Sequence, residues 1–475
     1  MSMYEKLTSD YNRRDFLKGT SFAAMMAMMG GVPIRAAEEP KPGEPVNKAA
    51  EEPLKFGVIG CGVWGREIIK TLTTRPNAPV IGVCDTYKPF LNRIKDAVPN
   101  AEQYTEYQKL LDNKDVQAVV VATPTHLHKD IVIAALKAGK HVYCEAPIAA
   151  SLEDARAIAQ AAKASLKVNF QSGLQTRSDK QMVNLFNFSR TGILGKVIKA
   201  RSQSHKKQQW RRTSPNPDRE KDINWRLEKD ISLGLIGEIG IHQMDMACWF
   251  LMGRPLSVTG FGSLIHWKED GREVPDSVQA IYEFPNDVIY NEELTIANSF
   301  DAEYDMFYGS DSAIMVRDDK AWMFKESDAQ TMGWEIYARK ETFYKESGIV
   351  LGAGATSLKK EENKPGEAKP AEAAAPGAPA PTGPPPASDS PLSYSLQSFI
   401  TNSLLTASGV EDFVASFGDK DLKALAEYVA SLVKSRKPAA TWKEGYESAV
   451  IAIKSNEAIV KKQRIVLAKE WFEIA

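Results

Sequence analysis

Residues 60–65 read Gly-Cys-Gly-Val-Trp-Gly, and a GxGxxG turn of this kind does one piece of chemistry, the binding of a dinucleotide pyrophosphate. Gly60 permits the tight turn, Gly62 lets the backbone approach the phosphates, and Gly65 lets the next helix pack closely on the strand before it. Val63 and Trp64 open that helix, whose N-terminus carries partial positive charge. A GxGxxG alone is weak evidence. Here an apolar strand at 54–59 precedes it, a helix at 64–74 follows, and Asp85 ends the next strand. That carboxylate suits an adenine-side ribose diol and repels a 2′-phosphate, so NAD is expected in preference to NADP.

A second group could move protons. Glu238, His242 and Asp245 fall at i, i+4 and i+7 of one expected helix and so on one face. Oxidation of a secondary alcohol needs a base for the hydroxyl proton, and an imidazole with an ordinary pKa near 6.5 is the best tuned one in the chain. A carboxylate one turn away would orient the ring and stabilise its charged form. The plainer alternative is a polar helix face with His242 bonded to a backbone carbonyl. Arg177 and Arg226 could clamp substrate hydroxyls, although surface arginines are commoner. His205, after a strand at 197–204, is expected to face the cleft. The basic run Lys206–Arg212 reads as a solvated loop anchored by Trp210, with stacking on a sugar ring as its functional alternative.

The elements that must position these residues alternate. Strands at 54–59, 80–84, 116–122, 141–144 and 167–170 are separated by helices at 64–74, 88–97, 127–138 and 152–165. Short apolar runs between amphipathic helices predict a doubly wound parallel α/β sheet. After residue 172 the pattern changes to a helix at 179–189, a strand at 197–204, a polar loop through 222 and a helix near 238–251. Strands then follow at 256–267, 276–284, 287–299, 304–308 and 312–317. Strands without crossover helices predict a second, α+β domain with a mostly antiparallel open sheet. The expected organisation is a signal at 1–37, a Pro- and charge-rich linker at 38–52, a Rossmann domain at 53–172 and a second domain at 173–361. A Pro/Ala-rich insert at 362–390 and helices at 391–475, packing back on the core, complete it.

Composition narrows the partners. With 60 basic and 61 acidic residues the formal charge is −1, which gives no reason to expect nucleic acid or an anionic membrane. Four cysteines, Cys61, Cys84, Cys144 and Cys248, form no CxxC pair, so neither a metal site nor a disulfide framework is expected. Arg13-Arg14-Asp15-Phe16-Leu17-Lys18 and the weakly apolar run to Ile34 resemble a twin-arginine signal. That run is too short to span a bilayer comfortably. The expectation is therefore a periplasmic protein with no membrane span in its mature chain.

Together with the glycine turn, Thr123-Pro124-Thr125-His126-Leu127-His128, Cys144-Glu145-Ala146-Pro147, Trp225-Arg226 and Gly237-Glu238-Ile239-Gly240-Ile241-His242-Gln243-Met244-Asp245 make the chain resemble the Gfo/Idh/MocA oxidoreductases over most of residues 54–360. The resemblance implies NAD(P) in the cleft between two domains, a sugar or polyol substrate, and a homo-oligomer (dimer or tetramer) formed through the open sheet. It places Thr123, Pro124 and His128 beside the nicotinamide ribose. Glu145, Ala146 and Pro147 match a Glu-Lys-Pro motif whose proline is often cis, and His242 faces the substrate hydroxyl. Two departures follow. The motif's catalytic lysine is Ala146, which has no proton to exchange, and Glu238 stands where that family usually has Asp.

Three functions are consistent with this reading. One is NAD-dependent oxidation of a secondary hydroxyl of a sugar or glycoside, with the cofactor tightly bound. Another is a redox-neutral glycoside hydrolase or epimerase working by oxidation, elimination and reduction, which export and Ala146 both favour. The last is a non-catalytic sugar- or NAD-binding protein.

Overall fold

The computed structural model describes residues 53–474 except 319, 337, 344–345 and 352–389. The expected export signal, its linker and residues 362–389 of the Pro/Ala-rich insert lie outside the described residues.

β1 (Phe56–Ile59), β2 (Val80–Cys84), β3 (Glu102–Tyr104), β4 (Ala118–Val121), β5 (His141–Cys144) and β6 (Phe170–Ser172) form a parallel sheet in the order β3-β2-β1-β4-β5-β6. β1, β4 and β5 are buried along their whole length, as expected of parallel strands covered on both faces. The helices between them are α1 (Val63–Thr73), α2 (Lys88–Ile94), α3 (Tyr107–Asp112), α4 (His128–Lys137) and α5 (Leu152–Ala164). The strand order reverses between β1 and β4, which opens a crevice beyond their carboxyl ends.

The second sheet has ten strands. β7 (Val197–His205), β8 (Ser257–Ser263), β9 (Ser277–Glu283), β10 (Ile289–Thr295), β11 (Glu303–Gly309) and β12 (Ser312–Arg317) overlap the expected strand regions, β7 and β11 running a residue beyond them. β13 (Lys320–Lys325), β14 (Lys340–Phe343), β15 (Glu346–Leu351) and β16 (Ile465–Val466) extend it to the order β14-β15-β13-β12-β11-β7-β10-β9-β8-β16. All its pairings are antiparallel except β7 with β10. Burial alternates along β9 and β10, the signature of a sheet with one covered face.

That face is covered by α6 (Lys180–Phe188), α8 (Gly234–Glu238), α9 (Gly240–Phe250) and, later in the chain, Ile451, Ala458 and Ile459. The expected single helix at 238–251 is two: the chain breaks at Ile239, with φ −122° and ψ −56°. Glycines on both sides of Glu238 lower helix propensity there. A Cβ at Gly240 would also lie 2.6 Å from the buried Glu292 Oε1. The polar stretch through 222 contains a further helix, α7 (Pro217–Ile223), capped by Asn216, whose Oδ1 accepts from the Asp218 amide at 3.0 Å.

The C-terminal helices are α10 (Pro391–Phe417), α11 (Leu422–Ser431) and α12 (Trp442–Lys461). Leu396, Phe399 and Ile400 of α10 join Phe56 and Val58 in the core of the first domain. α12 has its capping box at Thr441 and Glu444. Its Tyr446, Ala449 and Val450 pack in the first domain while Ile459 packs in the second. One helix therefore stitches the two cores together.

Candidate functional site

A cleft of about 880 Å³ opens at the crevice beside β1. Gly60 sits at φ +96°, a conformation glycine adopts freely, and a Cβ there would meet the Ala122 carbonyl oxygen at 2.5 Å. At Gly65 a Cβ would run into the Gly60 carbonyl, so this close approach of helix to strand admits no side chain. Gly62 differs: a Cβ on it would meet nothing within 4 Å. It caps α1 and faces the open cleft. Val63 and Trp64 line the cleft with it and are exposed. Asp85 stands at the rim, its Oδ2 accepting from the Cys61 amide and its Oδ1 from the Tyr87 amide, each at 2.8 Å. Those bonds aim the carboxylate and leave lone pairs for a ligand.

Thr123 and Pro124 also line the cleft. His128 does not. It is buried, with Nε2 2.9 Å from the Thr123 carbonyl and Nδ1 3.1 Å from the Pro147 carbonyl. Burial pushes its pKa down to about 4, so the ring is neutral and donates to one carbonyl. The expected cofactor contact at His128 is thus a buried ring wedged between the Thr123 loop and the Ala146–Pro147 turn, whose peptide bond is cis. Glu145 lies under the same turn. It is 8% exposed, its Oε1 has no hydrogen-bond partner, and it presses on Gly173. Burial pushes its pKa up to about 7 against the smaller opposing pull of hydrogen bonds from Trp64 and the Ala146 backbone. Ala146 packs on a small apolar cluster that includes Leu174, Leu233 and Ile241.

Glu238, His242 and Asp245 do not share one continuous helix. Glu238 ends α8, where Oε1 accepts from Thr125 Oγ1 at 3.1 Å and Oε2 accepts from Arg226 Nε at 3.0 Å. It braces the cleft wall from behind. Burial raises its pKa, and Arg226 and Thr125 oppose the rise. Asp245 is 1% exposed and grips Arg177 through both carboxylate oxygens, at 2.8 to 3.1 Å, while Ser448 Oγ donates to it at 3.0 Å. Arg177 is therefore committed to Asp245 and to the face of Trp249, not extended as a substrate clamp. His205 is also displaced from its expected place: its ring meets Glu293 at 3.4 Å and the Phe300 carbonyl at 3.0 Å, on the sheet face opposite the helices. The alternation along β7 settles this, because Ala200 and Ser202 take the covered side.

Of the eleven residues of α9, all but His242 and Cys248 are buried. Burial pushes the His242 pKa below its ordinary value, and Asp245 opposes this. Trp225 and Arg226 line the cleft, the guanidinium lying 4.6 Å over the indole. Sequence reasoning missed Phe90, Tyr107, Arg212 and Arg219, which line it too. The Asn216-Pro217 cap pattern was the signal available for Arg219, since it starts the helix that carries that residue. Among the described residues no cluster of three or more His, Cys, Asp or Glu could hold a metal ion, and no helix is long and apolar enough to cross a membrane.

These residues fit a dinucleotide. The open side of Gly62, the amide end of α1 and the aimed carboxylate of Asp85 form a cradle suited to pyrophosphate and ribose. The unpartnered Glu145 Oε1 leaves a buried acceptor beneath it.

The buried Glu145 makes stability depend on pH. Between about pH 4.5 and 7 the unfolded chain gives up this proton while the folded chain keeps it, so stability falls as pH rises through that window. Relative to wild type, Glu145→Gln is expected to gain on the order of 3 kcal/mol between about pH 4 and pH 8, measured by urea unfolding without nucleotide. A difference between the two proteins that does not change with pH would contradict the assignment.

Comparison with known proteins places this geometry. Residues 54–173 match the model of the oxidoreductase family with an NAD-binding Rossmann fold, and residues 187–315 match the GFO/IDH/MocA C-terminal domain. Inositol 2-dehydrogenase of Salmonella paratyphi B is 31% identical over 147 residues, 30% of this chain and 44% of that protein. The 2,7-anhydro-N-acetylneuraminate hydratase of Escherichia coli is 27% identical over 271 residues, 55% of this chain and 67% of that one. A levoglucosan dehydrogenase solved with NADH and L-sorbose has the same fold, with a TM-score of 0.60 at 18% identity, covering 88% of this chain and 99% of its own. With both of its domains matched, the chain belongs to the Gfo/Idh/MocA family of oxidoreductases with an NAD-binding Rossmann domain.

Proposed function

We propose that this protein is an NAD-dependent oxidoreductase acting on a secondary hydroxyl of a sugar or glycoside. One observation carries the reading: a single cleft has the glycine turn and Asp85 on one wall and Trp225 with Arg226 on another. A dinucleotide cradle and a cation stacked on an aromatic ring thus share one space. NAD, when bound, supplies the acceptor for a hydride from the hydroxyl-bearing carbon. The chain supplies positioning and proton transfer. His242 is the one partly open polar side chain of α9, and an imidazole held neutral by burial is able to accept the hydroxyl proton. Asp245, fixed by Arg177 and Ser448, favours the imidazolium that results. Arg226, tethered to Glu238, offers its remaining donors to sugar hydroxyls.

A second reading rests on Ala146. With an apolar side chain where the family motif has lysine, a redox-neutral hydrolysis, hydration or epimerisation needs no net electron acceptor, and the similarity to a hydratase supports it. Absorbance near roughly 340 nm separates the two, since net oxidation accumulates NADH and a redox-neutral cycle does not. On either reading His242→Ala is expected to lower kcat by about 10²–10⁴-fold with nucleotide affinity unchanged. The acid limb of the wild-type pH profile is expected to fall below 6.5. Full turnover in the variant would remove His242 from the mechanism.

The proposal extends to location and assembly. Arg13 and Arg14 support export by the twin-arginine route to the periplasm. Replacing both with lysine is then expected to leave the protein in the cytoplasmic fraction of expressing cells, and unchanged export would contradict it. The uncovered face of the second sheet, with Phe261 and Ile281 exposed, supports a homo-oligomer. Light scattering that returns the mass of one chain would rule this out.

A further inference from the structure

The polar segment between β7 and α8 does more than connect them. Arg211 donates to the Asp270 carbonyl at 2.7 Å and pairs with Glu220 at 2.6 Å. Asn224 accepts from the Arg212 amide and donates to its carbonyl, both at 2.8 Å. These bonds make the segment a built arm, and from it Arg219 crosses to the first domain. Its guanidinium carbon lies 4.5 Å from the centre of the Tyr87 ring and 5.2 Å from that of Phe90. Those two rings meet edge to face just past Asp85. The Arg219 side chain is 16% exposed, its Nε is buried without a hydrogen-bond partner, and its nearest acid, Asp222, is at 3.8 Å. Arg219, Asp85 and Phe90 all line the cleft.

We propose that Arg219, stacked on Tyr87 and Phe90, is the outer jaw of a clamp on the adenosine half of the dinucleotide, and that the arm holds this jaw over the cleft. The inference rests on the proposed use of NAD and goes beyond it by assigning cofactor retention to a residue of the second domain. The chemistry fits an adenine ring and a ribose: a planar cation backed by two aromatic rings bounds the space on one side. Asp85 fixes the ribose from below while Arg219 covers it from above. Release then requires the arm to move against its own hydrogen bonds. Such a clamp suits an enzyme that keeps one cofactor through many turnovers.

ADP-ribose is the probe, because it carries the adenosine half without the nicotinamide. By calorimetry on nucleotide-free full-length protein, Arg219→Ala is expected to weaken ADP-ribose by roughly 5- to 30-fold. The unliganded melting temperature is expected to stay unchanged. Arg219→Gln, which keeps the reach of the side chain, is expected to show the same loss and serves as the test if the alanine variant does not fold. Wild-type affinity in the variants would overturn the clamp, as would a loss seen only together with a lowered unliganded melting temperature. Those outcomes leave the proposed function standing. Wild-type protein that binds neither NAD nor ADP-ribose would overturn the function itself, and the clamp with it.

Discussion

The arrangement of the site depends on one buried ion pair. Asp245 belongs to α9, Arg177 to the turn that follows β6, and Ser448 to α12, so their contacts join α9 to the segment leaving the first sheet and to the helix that stitches the two cores. A pair of this kind is weak as a source of stability, because desolvation offsets most of the Coulomb attraction. Its value is geometric. The bidentate fork fixes both distance and plane, and α9 cannot slide without leaving a charge buried and unpaired. His242, carried on the same helix, inherits its position from this contact.

The wall in front of α9 is braced in the same manner. Glu238 reaches forward to Thr125 in the loop after β4 and sideways to Arg226 in the arm, joining three segments far apart in the chain. His128 sits buried between that loop and the Ala146–Pro147 turn. Ala146 itself faces Leu174, Leu233 and Ile241, an environment that would penalise a charged amine. The apolar side chain at 146 is therefore matched by its surroundings.

The cofactor half of the site was legible because local pattern determines it. Gly60, Gly62 and Gly65 shape the turn through backbone geometry and Asp85 ends the next strand of the same β-α-β unit, which alternation of strand and helix predicts directly. The catalytic half was less legible. The spacing of Glu238, His242 and Asp245 implied one helical face, but the break at Ile239 depends on Gly240 meeting Glu292 of a strand some fifty residues on. Arg177 and His205 carried no sign of their partners, since ion pairs between distant segments leave no periodicity. Arg219 was hidden because α7 has no apolar stripe, so its capping residues alone announced it. β13–β15 escaped notice for a related reason: they lie at the sheet edge, in short runs that mix lysine and glutamate with aromatic residues.

The rotation of α9 shows why polar contacts, and not hydrophobic patterning, place the candidate base. Nine of its eleven residues are buried, so turning the helix about its axis would bury nearly the same apolar area and the hydrophobic effect would hardly distinguish the alternatives. Polar groups do distinguish them. On the sheet side Gln243 donates to the Gln203 carbonyl at 2.8 Å, and Gly240 leaves room for Glu292, which accepts from Tyr282 at 2.9 Å. On the domain side Asp245 meets Arg177. A helix pinned at residues 240, 243 and 245 has one orientation left, and in that orientation His242 is the polar residue that keeps an open edge.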